Sequence, residues 1–131
     1  MVLDSSAIVA ILLQQSGHDR LVTRIGEAEF VAVGAPTLAE AANVLANRLG
    51  GKAVILLGEF LREAAIEVIP FARDHYEIAA DAYGRFGKGR HPAALSFGDC
   101  LTYAVARIAG MPLLFTGVDF SKTDLRGVDW T

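Results

Sequence analysis

The sequence predicts an α/β fold of three layers, with helices on both faces of a central, mainly parallel sheet of about four or five strands. Short runs of strand formers alternate with stretches whose apolar residues recur at spacings of three and four, the order that right-handed crossovers produce. An apolar fraction of 53% and a mean hydropathy of +0.38 exclude a disordered chain and suit a sheet covered on both faces. The 131 residues fit one domain, 1–131, with a real core. No repeat, low-complexity segment or linker divides them.

Residues 1–4 read as a short buried strand, after which Ser5 or Ser6 can cap a helix carrying Ile8, Ile11 and Leu12. Gly17 interrupts the pattern, and a second helix covers roughly 18–28 with Leu21, Val22 and Ile25 inward. Phe30–Val33 is a second strand, and Gly34 to Pro36 punctuates it. Thr37 to Leu49 carries one apolar stripe of Leu38, Ala41, Ala42, Leu45 and Leu49, ended by Gly50-Gly51. A further helix from Lys52, with Val54, Leu57, Leu61 and Ala64, completes a helical hairpin. Glu67–Pro70 is the third strand.

Ala72–Phe86 is amphipathic, with Tyr76, Ala79, Ala80 and Tyr83 facing in. Gly84, Gly87 and Gly89 then loosen a loop among Arg85, Lys88, Arg90 and His91. Ser96 opens a helix to Ala109 whose stripe is Phe97, Leu101, Ala104, Val105 and Ile108; Gly110 and Pro112 stop it. Leu113–Phe115 is the fourth strand, Thr116-Gly117 a turn, and Val128–Trp130 a candidate edge strand.

A net charge of −3 and a pI near 5.5 are not the footprint of a bulk nucleic-acid binder, although bound cations or a local basic patch can still recruit a polyanion. No apolar run is long enough to span a bilayer, and the first residues lack the basic start of a cleaved signal. The one cysteine, Cys100, predicts no internal disulfide and fits a reducing cytoplasm, as a small buried side chain rather than a reactive thiol.

Four acids fall at element ends. Asp4 ends the first strand, Glu40 and Asp99 stand in the first turns of helices, and Asp119 follows the fourth strand. Each has a local explanation. Thr37–Glu40 reads as a capping box and Ser96–Asp99 resembles one; Asp4 can cap the first helix, and Asp119 can be a turn residue. As a set they say more. In a parallel sheet the carboxyl ends of strands share one edge with the starts of the following helices. Four carboxylates gathered there repel strongly unless cations intervene, and all-oxygen ligation suits Mg²⁺, or Mn²⁺. His18, His75 and His91 are scattered, read as surface residues, and make no zinc pattern.

With these residues in view, the chain resembles the PIN-domain ribonucleases, and most closely the VapC-type toxins of bacterial toxin–antitoxin pairs, over essentially its whole length. Val2-Leu3-Asp4-Ser5-Ser6-Ala7 is similar to the family's opening motif and Pro36-Thr37-Leu38-Ala39-Glu40 to its second. Leu95-Ser96-Phe97-Gly98-Asp99-Cys100 with Tyr103-Ala104 is similar to the third, and Leu113-Leu114-Phe115 followed by Asp119–Asp124 to the fourth.

The resemblance implies catalytic metal ligands at Asp4, Glu40, Asp99 and Asp119. Val118 departs from the Asn or Asp that related chains often carry, which leaves Asp124 as the alternative fourth acid. Ser6 and Thr116 look like the family's small hydroxyl residues that hold carboxylates or waters. The implied reaction is Mg²⁺-dependent hydrolysis of RNA phosphodiesters, with 5′-phosphate and 3′-hydroxyl products and no protein nucleophile.

Arg85, Lys88, Arg90 and His91 are candidates for RNA backbone contact, against the alternative of a solvated loop. A cognate VapB-type antitoxin, a homodimer and a larger toxin–antitoxin hetero-oligomer are implied, and the hairpin at 37–65 is the place to seek antitoxin contact. Two other classes compete. A haloacid-dehalogenase-like phosphatase needs a second Asp where Ser6 stands. A catalytically inactive PIN-like binding module would fail to bind Mg²⁺ or Mn²⁺ in a titration.

Overall fold

A computed structural model describes all 131 residues. Its elements run β1 (Val2–Leu3), α1 (Ser5–Leu12), α2 (His18–Glu27), β2 (Ala32–Gly34), α3 (Ala35–Leu49), α4 (Lys52–Glu63), β3 (Glu67–Ile69), α5 (Arg73–Phe86), α6 (Phe97–Ala109) and β4 (Leu113–Leu114). A short 3₁₀ turn follows at Phe120–Lys122. The sheet has the order β3-β2-β1-β4, and every pairing is parallel.

β1 is therefore central, as its apolar character predicts. Its two residues alternate across the sheet. Leu3, with Val33 and Leu114, faces a core built by α1 to α4, while Val2 and Leu113 face one built by α5 and α6. Helices on both faces of one parallel sheet are the predicted three layers. No helix is long and apolar enough to cross a membrane.

Of the candidate caps for α1, Asp4 rather than Ser5 or Ser6 is the N-cap, accepting from the Ser6 amide at 3.1 Å. Two boundaries differ from expectation, each for a local reason. α3 begins at Ala35, ahead of Thr37, with Pro36 in its first turn, where a missing N–H costs nothing. Thr37 is thus inside the helix and buried, and its hydroxyl bonds that of Thr102 at 2.7 Å, so there is no capping box at Thr37–Glu40. Glu40 consequently stands one turn deeper than the sequence suggests. Gly34 belongs to β2 rather than to a turn; a Cβ there would meet Val105 Cγ2 at 2.8 Å.

The inward faces of the helices are narrower than the sequence stripes. Val22, Val54, Tyr76, Tyr83, Phe97 and Ile108 are exposed, Phe97 by 76%. α5 and α6 instead bury small residues, including Ala79, Ala82 and Ala104, together with Phe86 and Tyr103, and leave the rings of Tyr76, Tyr83 and Phe97 exposed. His75 is buried, contrary to the surface position expected; its Nδ1 accepts from the Ala72 amide at 2.9 Å and its ring stacks on Phe71.

Residues 84–86 complete α5. The glycine segment beyond is pinned by Lys88 N–H to Leu95 O and Leu95 N–H to Phe86 O, both 3.0 Å. The C-terminal tail forms only a single bridge, Gly127 to Leu113, instead of an edge strand at 128–130. Trp130 anchors that tail by donating to Phe115 O at 3.0 Å.

Candidate metal centre

Each of the three acids at the end of β1 and near the starts of α3 and α6 is held by a serine. Asp4 Oδ2 accepts from the Ser6 hydroxyl at 2.6 Å and the Ser6 amide at 3.1 Å. The Ser6 hydroxyl in turn accepts from the Thr116 amide at 3.0 Å, which ties the start of α1 to the segment leaving β4. Thr116 thus contributes its backbone N–H here rather than its hydroxyl.

Glu40 Oε1 accepts from the Ser5 hydroxyl at 2.8 Å. Asp99 is the third residue of α6 and completes a capping box with Ser96. Its Oδ2 accepts from the Ser96 amide at 3.0 Å, and its own amide donates to Ser96 Oγ at 3.2 Å. The local capping reading was correct for Asp4 and Asp99. It leaves each of them a second oxygen.

The second oxygen of Asp4 is the informative one. Asp4 is 4% exposed, and its Oδ1 is buried with no hydrogen-bond partner. Burial pushes the carboxyl above its ordinary value; the Ser6 bonds pull it down, and the neighbouring Asp99 charge pushes it up again. The nearby Thr102 hydroxyl, itself bonded to Thr37, pulls it down slightly without meeting Oδ1 at hydrogen-bonding distance. A buried, unpartnered carboxylate oxygen is costly. A hard cation at Oδ1 would satisfy it, so the donor set fits a divalent ion.

Asp4 and Asp99 are close enough to interact electrostatically, and Glu40 lies against Gly98, beside Asp99. The four carboxylates do not converge, however. No group of three or more His, Cys, Asp or Glu side chains forms a ready metal cage; Asp4, Glu40 and Asp99 each bond a serine instead. Asp119 is exposed just ahead of the 3₁₀ turn and makes no capping bond.

Asp124 lies elsewhere, fully engaged. It accepts from the Tyr103 hydroxyl at 2.6 Å, from Arg107 at 3.0 Å and from Arg85 at 3.1 Å. Arg85, one of the candidates for RNA contact, is therefore tied to Asp124. Arg90 stacks its guanidinium over Tyr83 at 5.4 Å, Lys88 is exposed, and His91 accepts from the Ala93 amide through Nδ1 at 3.0 Å. The Cys100 thiol is buried, and burial with the Asp99 charge pushes its pKa to about 11.

Two contributors were not foreseen: Ser5, which holds Glu40, and Gly98, whose bare α-carbon faces the Glu40 carboxylate. A serine bordering Asp4 and a glycine bordering Asp99 were the available signals.

Comparison with known proteins agrees with the fold. The PIN domain model matches residues 1–125. Ribonuclease VapC36 of Mycobacterium tuberculosis is 41% identical over 131 residues, covering 98% of this chain and 94% of the relative. Among solved structures, the Mycobacterium tuberculosis toxin VapC20, described as cleaving the sarcin–ricin loop, superposes with a TM-score of 0.79 at 20% identity, covering 97% of each chain. VapBC2 of Rickettsia felis, bound to a DNA fragment from its promoter, gives a TM-score of 0.76 at 15% identity, covering 99% of this chain and 98% of that one.

Proposed function

The chain belongs to the PIN-domain family, among the VapC ribonucleases, and on that premise we propose how its residues cut RNA. It is the ribonuclease toxin of a toxin–antitoxin pair, and its partner is a VapB-type antitoxin. A single observation carries the site assignment: the buried, partnerless Asp4 Oδ1 beside Asp99 at the edge where helices begin. Asp4, Glu40, Asp99 and Asp119 hold a divalent cation, Mg²⁺ or Mn²⁺ by the all-oxygen character of the donors. Asp119 is favoured over Asp124, whose carboxylate already accepts from Tyr103 and two arginines.

When bound, the cation supplies the positive charge that a scissile phosphate, an attacking water and a leaving oxygen require. The residues of the chain do the placing. Ser6 fixes Asp4 through Oδ2 and turns Oδ1 inward. Ser96 fixes Asp99 through one oxygen and leaves the other for the cation. Arg90 and Lys88, outside the Asp124 ion pairs, are the side chains best placed to meet the RNA backbone.

The antitoxin site is sought on the α3–α4 hairpin. Val44, Val54, Ile55 and Leu56 are exposed there, and a groove between the two helices is lined by Leu38, Ala42, Val54, Leu57 and Leu61. Much of the stripe, including Ala41 and Leu45, is core. A homodimer is the expected state of the toxin itself.

Cleavage of RNA by the purified chain should require Mg²⁺ or Mn²⁺, stop on chelation, and be lost in Asp4→Asn and Asp99→Asn with the fold intact. Either variant cutting at the parent rate would refute the assignment.

A further inference from the structure

The end of β2 and α3 meet α6 along a seam of three successive contacts. At its start Gly34 lies against Val105. One turn on, the Thr37 and Thr102 hydroxyls share a buried hydrogen bond of 2.7 Å. At the end the Glu40 carboxylate lies against the α-carbon of Gly98. A Cβ built there would stand 3.0 Å from Glu40 Cδ and 3.2 Å from Oε1, and closer still to Oε2. Glu40 Oε1 also accepts from the Ser5 hydroxyl at 2.8 Å. The seam fixes how closely the first turn of α6 approaches the second turn of α3, and the gap left by Gly98 is the space in which the carboxylate sits.

We infer that Ser5 and Gly98 are positioning residues that seat the Glu40 carboxylate, Ser5 by hydrogen bond and Gly98 by leaving room. This rests on the reading of Glu40 as a ligand of the divalent cation. Gly98 does not have the left-handed backbone that would demand glycine, and it sits in the first turn of α6, where alanine is the better helix former. Its lack of a side chain is therefore explained by Glu40 rather than by the backbone. A methyl group at 98 would push aside the far end of a flexible side chain, at little cost to the fold and at direct cost to the carboxylate's position. Ser5 acts on the same group through Oε1, so the two residues work through one atom set.

The test is Mn²⁺ titration of the purified full-length chain, read by the electron paramagnetic resonance signal of the ion, with the metal-free melting temperature measured alongside. Ser5→Ala and Gly98→Ala should each weaken Mn²⁺ binding by about tenfold, the lower end of what loss of an outer hydrogen-bond partner produces. Ser5→Thr, which keeps the hydroxyl, should bind like the parent, and Gly98→Ala should melt no lower than the parent. In a Glu40→Gln background neither change should weaken binding further, because both act through the same carboxylate.

Parent-like binding by Ser5→Ala and Gly98→Ala, with Glu40→Gln weakened, overturns the inference and leaves Glu40 a ligand. Parent-like binding by Glu40→Gln overturns the ligand reading, and the inference with it. Losses that add fully to that of Glu40→Gln show that the two residues act elsewhere and also overturn it. If Gly98→Ala fails to fold, the Ser5 pair of variants decides.

Discussion

α6 carries two carboxylate environments, one at each end, and they are opposites. At its start, Asp99 with Asp4 and Glu40 forms a set in which every acid is held by a serine through one oxygen. At the far end, Tyr103 and Arg107 reach across to Asp124, which Arg85 also meets, so that the single acid is saturated by three donors. The carboxyl pKa values move in opposite directions accordingly. Burial and the Asp99 charge raise Asp4 against the pull of Ser6. Burial also pushes Asp124 up, but the Tyr103 and Arg85 hydrogen bonds and the two arginine charges outweigh it and hold Asp124 below its ordinary value. The Asp124 ion pairs leave that carboxylate no free acceptor, whereas Asp4 keeps a buried oxygen without a partner, which is why the proposed cation is assigned to the first set.

The sharpest way to break this contrast is Asp4→Asn. Removing a ligand charge should lower the cleavage rate by about three orders of magnitude, what several kcal/mol of lost charge stabilisation amounts to. In metal-free protein the same change should raise the melting temperature by roughly 2–5 °C at neutral pH, since it deletes a buried charge. An RNA cleavage assay checks the rate, and calorimetry with and without Mn²⁺ checks the stability: the ion should stabilise the parent strongly and the variant little. A lower metal-free melting temperature would mean that Asp4 is already satisfied.

Asp124→Ala tests the other end. It strips acceptors from the buried Tyr103 hydroxyl and two half-exposed arginines. The expected loss is about 1–2 kcal/mol, kept small by solvent screening of the ion pairs, with Mn²⁺ affinity unchanged. Loss of Mn²⁺ binding instead would transfer the fourth ligand from Asp119 to Asp124.

The pH dependence separates the two ends again. Asp4 has a raised pKa in the fold, so the metal-free native state holds its proton more tightly than the unfolded chain. Its contribution to stability is therefore lost as pH rises from its ordinary value of 3.8 through the raised one. Asp124 has a lowered pKa, so its contribution is present above 3.8 and lost as pH falls through the lowered one. Chemical denaturation across this acid range should show Asp4→Asn losing the first slope and Asp124→Ala the second. Smallest of all, Arg90→Ala should reduce the slope of log affinity for RNA against log salt by about one; an unchanged slope removes Arg90 from the interface.

How much of this was legible beforehand divides along physical lines. Alternating strands and helices, the central β1 and the helix start at Ser96–Asp99 could be read from local pattern, because hydrophobic period and capping chemistry act within a few residues. The acids Asp4 and Asp99 could be read for the same reason: strand ends and helix starts have sequence marks. What the chain does not mark is which groups meet across the fold. The Thr37 hydroxyl reads as a cap and is in fact spent on Thr102, sixty-five residues away. His75 reads as a surface residue and is buried against Phe71. Ser5 and Gly98 are unremarkable until α3 meets α6 and Glu40 reaches both. Asp124 reads as a spare ligand until Tyr103, Arg85 and Arg107 are seen to claim it. The sequence by itself determined the elements, their order and the acids at the edge of the sheet. Only tertiary packing decided which carboxylate oxygens are taken and which are left open, because that depends on donors contributed by distant segments.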